Sequence, residues 1–216
     1  MVRLQTIEPY GLKKPMKTQF KITGFYYEVQ GIKFRKYLDI KTINSGCKIP
    51  DLIVVMMNPG SSKPLDGIEN NTKESLAIPD NTQSQIMKVM LNCNLQYARV
   101  LNLSDLREAN SSIFYGKIIE LDFKGISHSI FDKNRQHDFN QLWVNNVPVI
   151  FGWGVSVNLM PLALKAMIAS NASNPCGILK ANTDWAFYHP LPPIHSKQLE
   201  WITVISKQLL MLNATV

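Results

Sequence analysis

The sequence predicts an α/β fold in which a four-stranded parallel sheet lies between two layers of helices, with a β-hairpin added at the amino terminus. Two observations favour this prediction. Short apolar runs that end at small or polar residues alternate with segments of helical periodicity, which is the order expected of a parallel sheet with crossover helices. The first fifty residues instead contain two β-rich segments separated by a glycine turn, which is typical of a hairpin.

The apolar run after Asp51 lies between Pro50 and Pro59. Because proline interrupts helices, a run this short between two prolines indicates a strand, and its continuous apolar character indicates that the strand is buried on both faces. The predicted strands are residues 51–57, 97–103, 147–151 and 176–180. The predicted helices are residues 83–91, 139–143, 157–169 and 198–212. Two segments without periodicity are predicted as loops, residues 63–82 and residues 108–136, the second with His128 at the surface.

The positive charge of the chain is concentrated in its first fifty residues. Residues 1–50 hold ten Lys and Arg against three Asp and Glu, whereas residues 51–216 hold thirteen of each. The sequence therefore predicts a basic amino-terminal extension at residues 1–50, packed on an α/β domain at residues 51–216. Within the extension, Phe20–Val29 and Ile32–Ile40 flank a Gln-Gly turn and are predicted to pair as the hairpin.

Strict alternation along the second hairpin strand places Lys33, Arg35, Tyr37 and Asp39 on one face. A basic and aromatic face can follow a nucleic-acid backbone while its rings stack on bases. Lys33, Arg35 and Lys36 are therefore candidates for contacts with phosphates. A solvated charged face with no ligand is an equally good interpretation, and a protein partner is a further alternative.

Other features of the sequence limit the class of protein. No apolar stretch is long enough to cross a membrane, and the first residues do not resemble a secretion signal, so a cytoplasmic protein without membrane contact is expected. Cys47, Cys93 and Cys176 are far apart and form no Cys-x-x-Cys pair. Neither a disulfide framework nor a metal site is predicted, and no cofactor is expected.

Polar residues follow three of the predicted strands. Asn58 follows the first strand, Asn102 ends the second, and His189 lies in a proline-rich segment after the fourth. In α/β sheets the ligand site lies beyond the carboxyl ends of the strands, so these residues are candidates for a common site. The alternatives are that Asn58-Pro59-Gly60 is only a turn and that Asn102 only holds the loop that follows it.

These motifs, taken in order, resemble the uracil-DNA glycosylase superfamily. Asn58-Pro59-Gly60 looks like its first motif, in the Asn-Pro-Gly form of the mismatch-specific, thymine-DNA glycosylase-like branch. Asn102 occupies the place of its base-reading asparagine, and the His189-Pro190 pair is similar to its last motif. The chain also resembles an uncharacterised bacterial family of short glycosylase-like proteins. The resemblance covers about residues 51–212 and leaves the basic hairpin outside.

This resemblance implies hydrolysis of the N-glycosidic bond of a flipped uracil-like or damaged base, in DNA rather than RNA, without a metal or cofactor. Asn58 would orient the attacking water, and His189 would donate a hydrogen bond to the departing base. Leu191 would fill the space that the base leaves in the stack. The implied base-binding residues are Asn102, Pro59, Gly60 and Ser61.

The sequence departs from the superfamily pattern at two points. The acidic residue that usually activates water is absent from the Asn-Pro-Gly-Ser-Ser segment, and Leu191 replaces the serine that commonly follows His-Pro. Two other functions are therefore alternatives. One is a non-catalytic nucleic-acid or nucleotide-binding protein with the same fold, and the other is a protein-interaction module that uses the basic hairpin.

Overall fold

The computed structural model of the chain describes residues 16–214. The strands are β1 (Phe20–Val29), β2 (Ile32–Thr42), β3 (Leu52–Met56), β4 (Ser75–Leu76), β5 (Tyr97–Asn102) and β6 (Val149–Phe151). The helices are α1 (Asn81–Asn92), α2 (Ser111–Phe123), α3 (Gln136–Leu142), α4 (Met160–Ser170) and α5 (His195–Ala214). Short 3₁₀ turns cover Met16–Gln19, Lys133–Arg135 and Val157–Leu159. The first fifteen residues of the predicted basic extension lie outside the described part of the chain.

All six strands belong to one mixed sheet in the order β4-β1-β2-β5-β3-β6. Strand β3 pairs in parallel with β5 and with β6, whereas the pairings of β1 with β2 and β4, and of β2 with β5, are antiparallel. The α/β class is therefore confirmed. The prediction of a four-stranded parallel sheet is wrong, because the parallel part contains only three strands and antiparallel strands extend it.

The predicted fourth strand, residues 176–180, is reduced to a single parallel bridge between Ile150 and Cys176. The backbone N–H of the next residue, Gly177, donates to Gln208 Oε1 in α5 at 2.9 Å, and its backbone oxygen accepts from Gln208 Nε2 at 3.1 Å. The chain then pairs with the segment that leads to His189, through Tyr188 N–H to Ile178 O at 2.9 Å. Since the backbone groups have these other partners, the ladder with β6 does not continue.

The hairpin is continuous with the sheet. β1 and β2 pair antiparallel over their whole length, and residues 38–41 of β2 pair with residues 97–100 of β5. Behind this pairing, Asp39 is buried and accepts hydrogen bonds from Arg99 Nε and Nη2, both at 2.8 Å. The hairpin is therefore attached to the core through the buried carboxylate of Asp39, which binds Arg99 of β5.

Strand β3 confirms the expectation of a strand that is buried on both faces, since none of its residues is more than 5% exposed. Leu52, Val54 and Met56 pack in one apolar cluster with residues of α1 and α5. Ile53 and Val55 pack in a second cluster with residues of α2, α3 and α4. Helices therefore cover both faces of the sheet, and β3 is the central strand of its parallel part, between β5 and β6.

Helix α2 lies where the sequence predicts a loop. It is capped by Asn110, whose side chain accepts hydrogen bonds from the N–H groups of Ser112 and Ile113. Its apolar residues do not form one stripe: Phe114, Ile118 and Leu121 are buried, but Ile113, Ile119 and Phe123 are exposed. A helix with apolar residues around its whole circumference has no periodic signal. The expectation of a loop is therefore wrong for this part of residues 108–136.

Replacing Gly177 with alanine is expected to lower the free energy of unfolding by about 1–3 kcal/mol, the usual cost of overpacking a core. An added Cβ would lie 2.4 Å from Phe187 Cδ1 and 2.8 Å from the backbone oxygen of Phe151, and a backbone oxygen cannot move cheaply. Urea denaturation measures the change. The matched control is Gly116→Ala in α2, where a Cβ meets nothing within 4 Å and helix propensity favours alanine. Equal effects of the two substitutions would contradict the packing argument.

Candidate functional site

Two of the three candidate residues meet at the carboxyl edge of the parallel strands. Met56, the last residue of β3, pairs in register with Asn102, the last residue of β5. Asn58 lies two residues further along the chain, and its backbone oxygen is 3.3 Å from the amide nitrogen of Asn102. The strand pairing therefore brings together two asparagines that are 44 positions apart in the sequence.

His189 lies at the same edge, beyond β6. Its neighbours pack against the glycine turn that ends β6: Gly154 N–H donates to Phe187 O at 2.8 Å, and a Cβ on Gly152 would lie 3.1 Å from Pro190 Cδ. Gly152 N–H in turn donates to Val55 O at 2.9 Å. All three predicted site residues thus lie at the carboxyl ends of neighbouring parallel strands.

The imidazole of His189 is held in one tautomer. The backbone N–H of Leu191 donates to His189 Nδ1 at 3.1 Å, so Nδ1 is an acceptor and the ring proton is on Nε2. Burial lowers the pKa of His189 below its ordinary value of 6.5, and the charge of Asp80 opposes this effect. At neutral pH His189 is therefore an uncharged ring with one N–H donor at Nε2.

The side chain of Asn58 is fixed by the loop that follows β5. Its Nδ2 donates to Leu106 O at 3.2 Å and to Glu108 O at 2.6 Å. Within residues 16–214 its Oδ1 accepts no hydrogen bond from protein, so it can accept one from a water molecule. The three residues after Asn58 differ in exposure: Pro59 is buried, Gly60 is half-buried with a φ of +59°, and Ser61 is exposed.

Asn102 has no exposed surface. Only one orientation of its amide satisfies both neighbours. In that orientation the nitrogen donates to the backbone oxygen of Asn58 at 3.3 Å, and the oxygen accepts from Arg35 Nη2 at 3.2 Å. In this conformation Asn102 joins Asn58 to the hairpin and does not offer a free edge to a base. The alternative that Asn102 holds the backbone in place therefore describes it better than base reading does. Its partners, however, are Asn58 and Arg35 rather than the loop that follows it.

Arg35 is not on the surface where the alternation predicts it, since it is only 2% exposed. The reason is a β-bulge: Phe25 pairs with Tyr37 and Tyr26 pairs with Arg35, which leaves Lys36 unpaired. The extra residue reverses the faces of the strand on either side of it. Arg35 therefore does not form part of the exposed surface of the hairpin.

Lys33 and Lys36 are more accessible than Arg35, but both have acidic partners. Lys33 Nζ lies 3.5 Å from Glu69 Oε1 and keeps half of its side chain exposed. Lys36 Nζ lies 2.9 Å from Asp138 Oδ1 and is more buried. The surface charge of the hairpin is therefore partly neutralised by the rest of the chain, and the contacts of these two lysines with nucleic acid remain a prediction.

Helix α1 begins near the site. Asp80 caps it, with its Oδ1 accepting from Gln83 N–H at 2.7 Å, and the Gln83 side chain returns to the Asp80 backbone N–H at 3.3 Å. This reciprocal arrangement is a capping box. The charge of Asp80 acts on both His189 and Arg35, so the helix start lies within electrostatic range of both.

A chain of Ser104, His128 and Asp122 is a cluster that the sequence does not reveal, because its members are distant from one another. His128 Nδ1 lies 2.9 Å from Ser104 Oγ, and its Nε2 lies 3.2 Å from Asp122 Oδ1. His128 is 1% exposed and Ser104 has no exposed surface, so the serine cannot reach a substrate. The cluster holds the loop after β5, and the expectation of a surface position for His128 is wrong.

Asp105, in the same loop, is completely buried. Its Oδ2 accepts hydrogen bonds from Tyr27 at 2.9 Å and from two nitrogens of Arg135 at 3.2 Å. Its Oδ1 has no partner. Burial raises the pKa of Asp105 from 3.8 to about 6, although Arg135 and Tyr27 act in the opposite direction.

Replacing Asp105 with asparagine is expected to change the pH dependence of stability. Because the folded-state pKa of Asp105 is raised, its contribution is fully present below pH 3.8 and is lost as the pH rises through about 6. Relative to the variant, the wild type should lose about 2–3 kcal/mol of unfolding free energy between pH 4 and pH 7, at about 1.36 kcal/mol per pKa unit. Urea denaturation at a series of pH values measures this. The exposed control Asp184→Asn should follow the wild type, and parallel profiles for all three proteins would contradict the raised pKa.

Other features limit the chemistry of the described residues. No group of three or more His, Cys, Asp and Glu side chains in residues 16–214 is placed to hold a metal ion. None of the helices described is both long and apolar enough to span a membrane. A cleft of about 820 Å³ between residues 143–149 and 170–174 lies at the amino-terminal edge of the sheet, away from Asn58 and His189.

Comparison with known proteins gives no match for this chain among protein-family models, curated proteins or solved structures. The resemblance to the glycosylase superfamily therefore stays an expectation from sequence motifs. The class of protein that the fold defines is α/β with a polar site at the carboxyl edge of parallel strands. Any more specific function has to be inferred from the residues of that site.

Proposed function

We propose that this protein hydrolyses the N-glycosidic bond of a uracil-like or damaged base that is flipped out of a nucleic acid, DNA rather than RNA. The observation that supports this proposal is the uncharged His189, which has its proton on Nε2 because Nδ1 accepts from Leu191 N–H. Its position at the same carboxyl edge of the sheet as Asn58 agrees with the resemblance of both motifs to the uracil-DNA glycosylase superfamily.

His189 would stabilise the leaving group. When the glycosidic bond breaks, the sugar acquires oxocarbenium character and the departing base acquires negative charge. An N–H donor that is already oriented towards this charge contributes about 2.7–4 kcal/mol in comparable oxyanion sites. The lowered pKa of His189 suits this role, because the uncharged ring keeps Nδ1 as the acceptor for the Leu191 N–H that orients it and keeps its proton on Nε2 as the donor.

Asn58 would position the water. Its Nδ2 is held by two backbone carbonyl groups, so a water bound to Oδ1 has a defined place. An amide is a poor base, but an electrophilic sugar needs an oriented water more than a strong nucleophile. Asn102 would act on Asn58 rather than on the base, since it holds the Asn58 backbone and is itself buried.

The remaining roles follow from position. The turn of Pro59, Gly60 and Ser61 would border the base, and Leu191, which is half-buried next to His189, would be the apolar wedge. Lys33 and Lys36 would contact phosphates. We also propose a cytoplasmic location, which the three free cysteines favour.

A non-catalytic nucleotide-binding protein is the second candidate. One observation favours it: no carboxylate hydrogen-bonds to Asn58 within the described residues, and the carboxylate of the neighbouring Glu108 is paired with Lys117 at 2.6 Å. The site therefore has no strong base for water activation. The two candidates predict different results, because a binding protein retains the base and a hydrolase releases it.

The deciding experiment is incubation of the protein with oligonucleotides that contain uracil, hypoxanthine or a mismatched thymine, followed by detection of abasic sites. Abasic sites in at least one substrate, in proportion to protein concentration, are the expected result. Binding of an oligonucleotide without release of base would support the second candidate. Neither binding nor release would leave the protein-interaction module as the remaining alternative.

A further inference from the structure

Four buried polar atoms without a hydrogen-bond partner lie in one region next to Asn58. They are Arg35 Nε, Arg107 Nε, Glu69 Oε2 and Asp105 Oδ1. The region is continuous, because Asn102 joins Arg35 to Asn58 and the Asn58 amide binds the carbonyl groups on either side of Arg107. A buried polar group that lacks a partner destabilises the fold. The two guanidinium donors in this cluster, Arg35 Nε and Arg107 Nε, therefore indicate a place that an anionic ligand completes.

Arg35 carries the strongest part of this argument. It is 2% exposed, its Nη2 donates to a neutral amide, and within residues 16–214 it forms no ion pair with a carboxylate. Burial lowers the pKa of Arg35, and the charges of Tyr26, Asp80 and Asp105 oppose this effect. A buried cation without a paired anion is costly, so an anion at this position would be strongly favoured.

Arg107 adds a second guanidinium to the same region. Its charge lowers the pKa of Arg35 further, so the two cations repel each other. Arg107 Nη1 lies 2.6 Å from Glu69 Oε1, which is also 3.5 Å from Lys33 Nζ. A single carboxylate, from the long connection between β3 and α1, is thus shared by two cations while Arg35 has none.

We propose that Arg35 and Arg107 form a binding site for the phosphate group of a nucleotide, and that Glu69 occupies part of this site when no ligand is bound. The identity of the adjacent base rests on the function proposed above, but the anion site does not. Asn102 lies between Arg35 and Asn58, so a phosphate at the arginines is next to the residues to which the base is assigned.

Phosphate suits the site better than a carboxylate does. A guanidinium presents a planar set of donors that binds phosphate through two parallel hydrogen bonds. A phosphate monoester has three terminal oxygens and about two negative charges, enough for the unpaired Nε groups of both arginines. The carboxylate of Glu69 brings a single charge, and one of its two oxygens is already without a partner. A phosphate would therefore replace Glu69 on Arg107 and reach Arg35 as well.

The test is calorimetric titration of the full chain with inorganic phosphate, deoxyuridine, deoxyuridine 5′-monophosphate and a single-stranded oligodeoxynucleotide. The monophosphate is expected to bind at least about 10-fold more tightly than the nucleoside, since it adds hydrogen bonds between charged groups that the nucleoside cannot form. Tighter binding of the monophosphate than of the oligonucleotide assigns the site to free nucleotides, and the reverse assigns it to a strand. Equal binding of nucleoside and monophosphate, or no binding of any phosphate compound, overturns the proposal.

Three variants show whether the arginines are responsible. Arg107→Gln is expected to weaken binding of the monophosphate by about 10- to 100-fold, whereas Glu69→Gln should strengthen it by removing the competing carboxylate. The matched control is Lys165→Gln, which also breaks an ion pair, with Asp132 at 2.6 Å, but on α4. It should bind as the wild type does. Arg107→Gln that folds and binds with unchanged affinity overturns the proposal.

The outcomes also separate this proposal from the proposed function. Base release without any preference for phosphorylated ligands would refute the anion site alone. Phosphate-dependent binding without base release would refute hydrolysis and leave the anion site standing. Arg35→Met is less decisive because it removes a buried side chain, so its thermal unfolding has to be compared with that of the wild type before its affinity is interpreted.

Discussion

Replacing His189 with alanine is expected to reduce base release by about 10²- to 10³-fold, which is the usual effect of removing one donor from an oxyanion site. The substitution removes the Nε2 donor that the Leu191 N–H orients. Because the donor matters most when negative charge develops on the base, kcat should fall more than affinity for the substrate does. Single-turnover rates and binding constants for the same oligonucleotide measure the two effects separately.

The control is His195→Ala, which removes an exposed imidazole at the start of α5. It should leave the rate and the stability unchanged. The pH profile gives an independent check. Since burial lowers the pKa of His189, the wild-type rate should persist below pH 6.5. It should fall at more acidic pH, where a proton on Nδ1 removes the acceptor of the Leu191 N–H that orients the ring. A His189→Ala variant whose loss is entirely in KM would assign the histidine to ground-state binding.

Replacing Asp39 with alanine is expected to lower the free energy of unfolding by about 3–5 kcal/mol, the usual cost of removing one partner from a buried ion pair. Asp39 is 2% exposed and binds Arg99 through both of its carboxylate oxygens, at 2.8 Å each. It also accepts from the Tyr97 hydroxyl. Alanine would leave a guanidinium and a phenol without their acceptor between β2 and β5.

Denaturation followed by both tryptophan fluorescence and circular dichroism measures this loss. The two signals should change together, because the hairpin and the parallel strands share one sheet. Glu28→Ala, at an exposed position of β1, is the control and should change stability by no more than about 0.5 kcal/mol. A loss below about 1 kcal/mol for Asp39→Ala, or a separate unfolding transition for the hairpin, would show that β2 does not unfold together with the rest of the sheet.

Much of the fold could be predicted because it depends on neighbouring residues. The apolar run before Asn58 has only one compatible structure between its prolines, and the predicted strands that became β3, β5 and β6 lie within a few residues of their observed bounds. Helix starts were predicted less accurately: α1 begins at Asn81 rather than at residue 83, and α5 begins at His195 rather than at residue 198. Helix starts depend on local hydrogen bonds that several nearby polar residues could form.

The position of Asn58 at the sheet edge was predictable because it follows β3, whereas His189 reaches the same edge without a fourth strand before it, since Pro190 packs against Gly152 at the end of β6. The hydrogen bonds of Asn58 and His189 were not predictable. Leu191 N–H fixes the imidazole of His189, and two carbonyl groups hold the Asn58 amide. Both contacts depend on the path of loops, and sequence periodicity does not predict the conformation of a loop. The sequence motifs could therefore locate the site. The tautomer of His189 and the free acceptor of Asn58 are determined only by the tertiary structure.

Composition and local pattern were sufficient to establish an α/β chain with a basic amino-terminal hairpin and polar residues at strand ends. The burial of Arg35, the use of Asn102 as a link, and the joining of β2 to β5 depended on contacts between distant segments. The β-bulge at Lys36, which has no partner residue in β1, reversed the faces of β2 on either side of it. Pattern shows which residues alternate, but a bulge and a non-local strand pairing determine which face meets the core, and therefore which charges are buried.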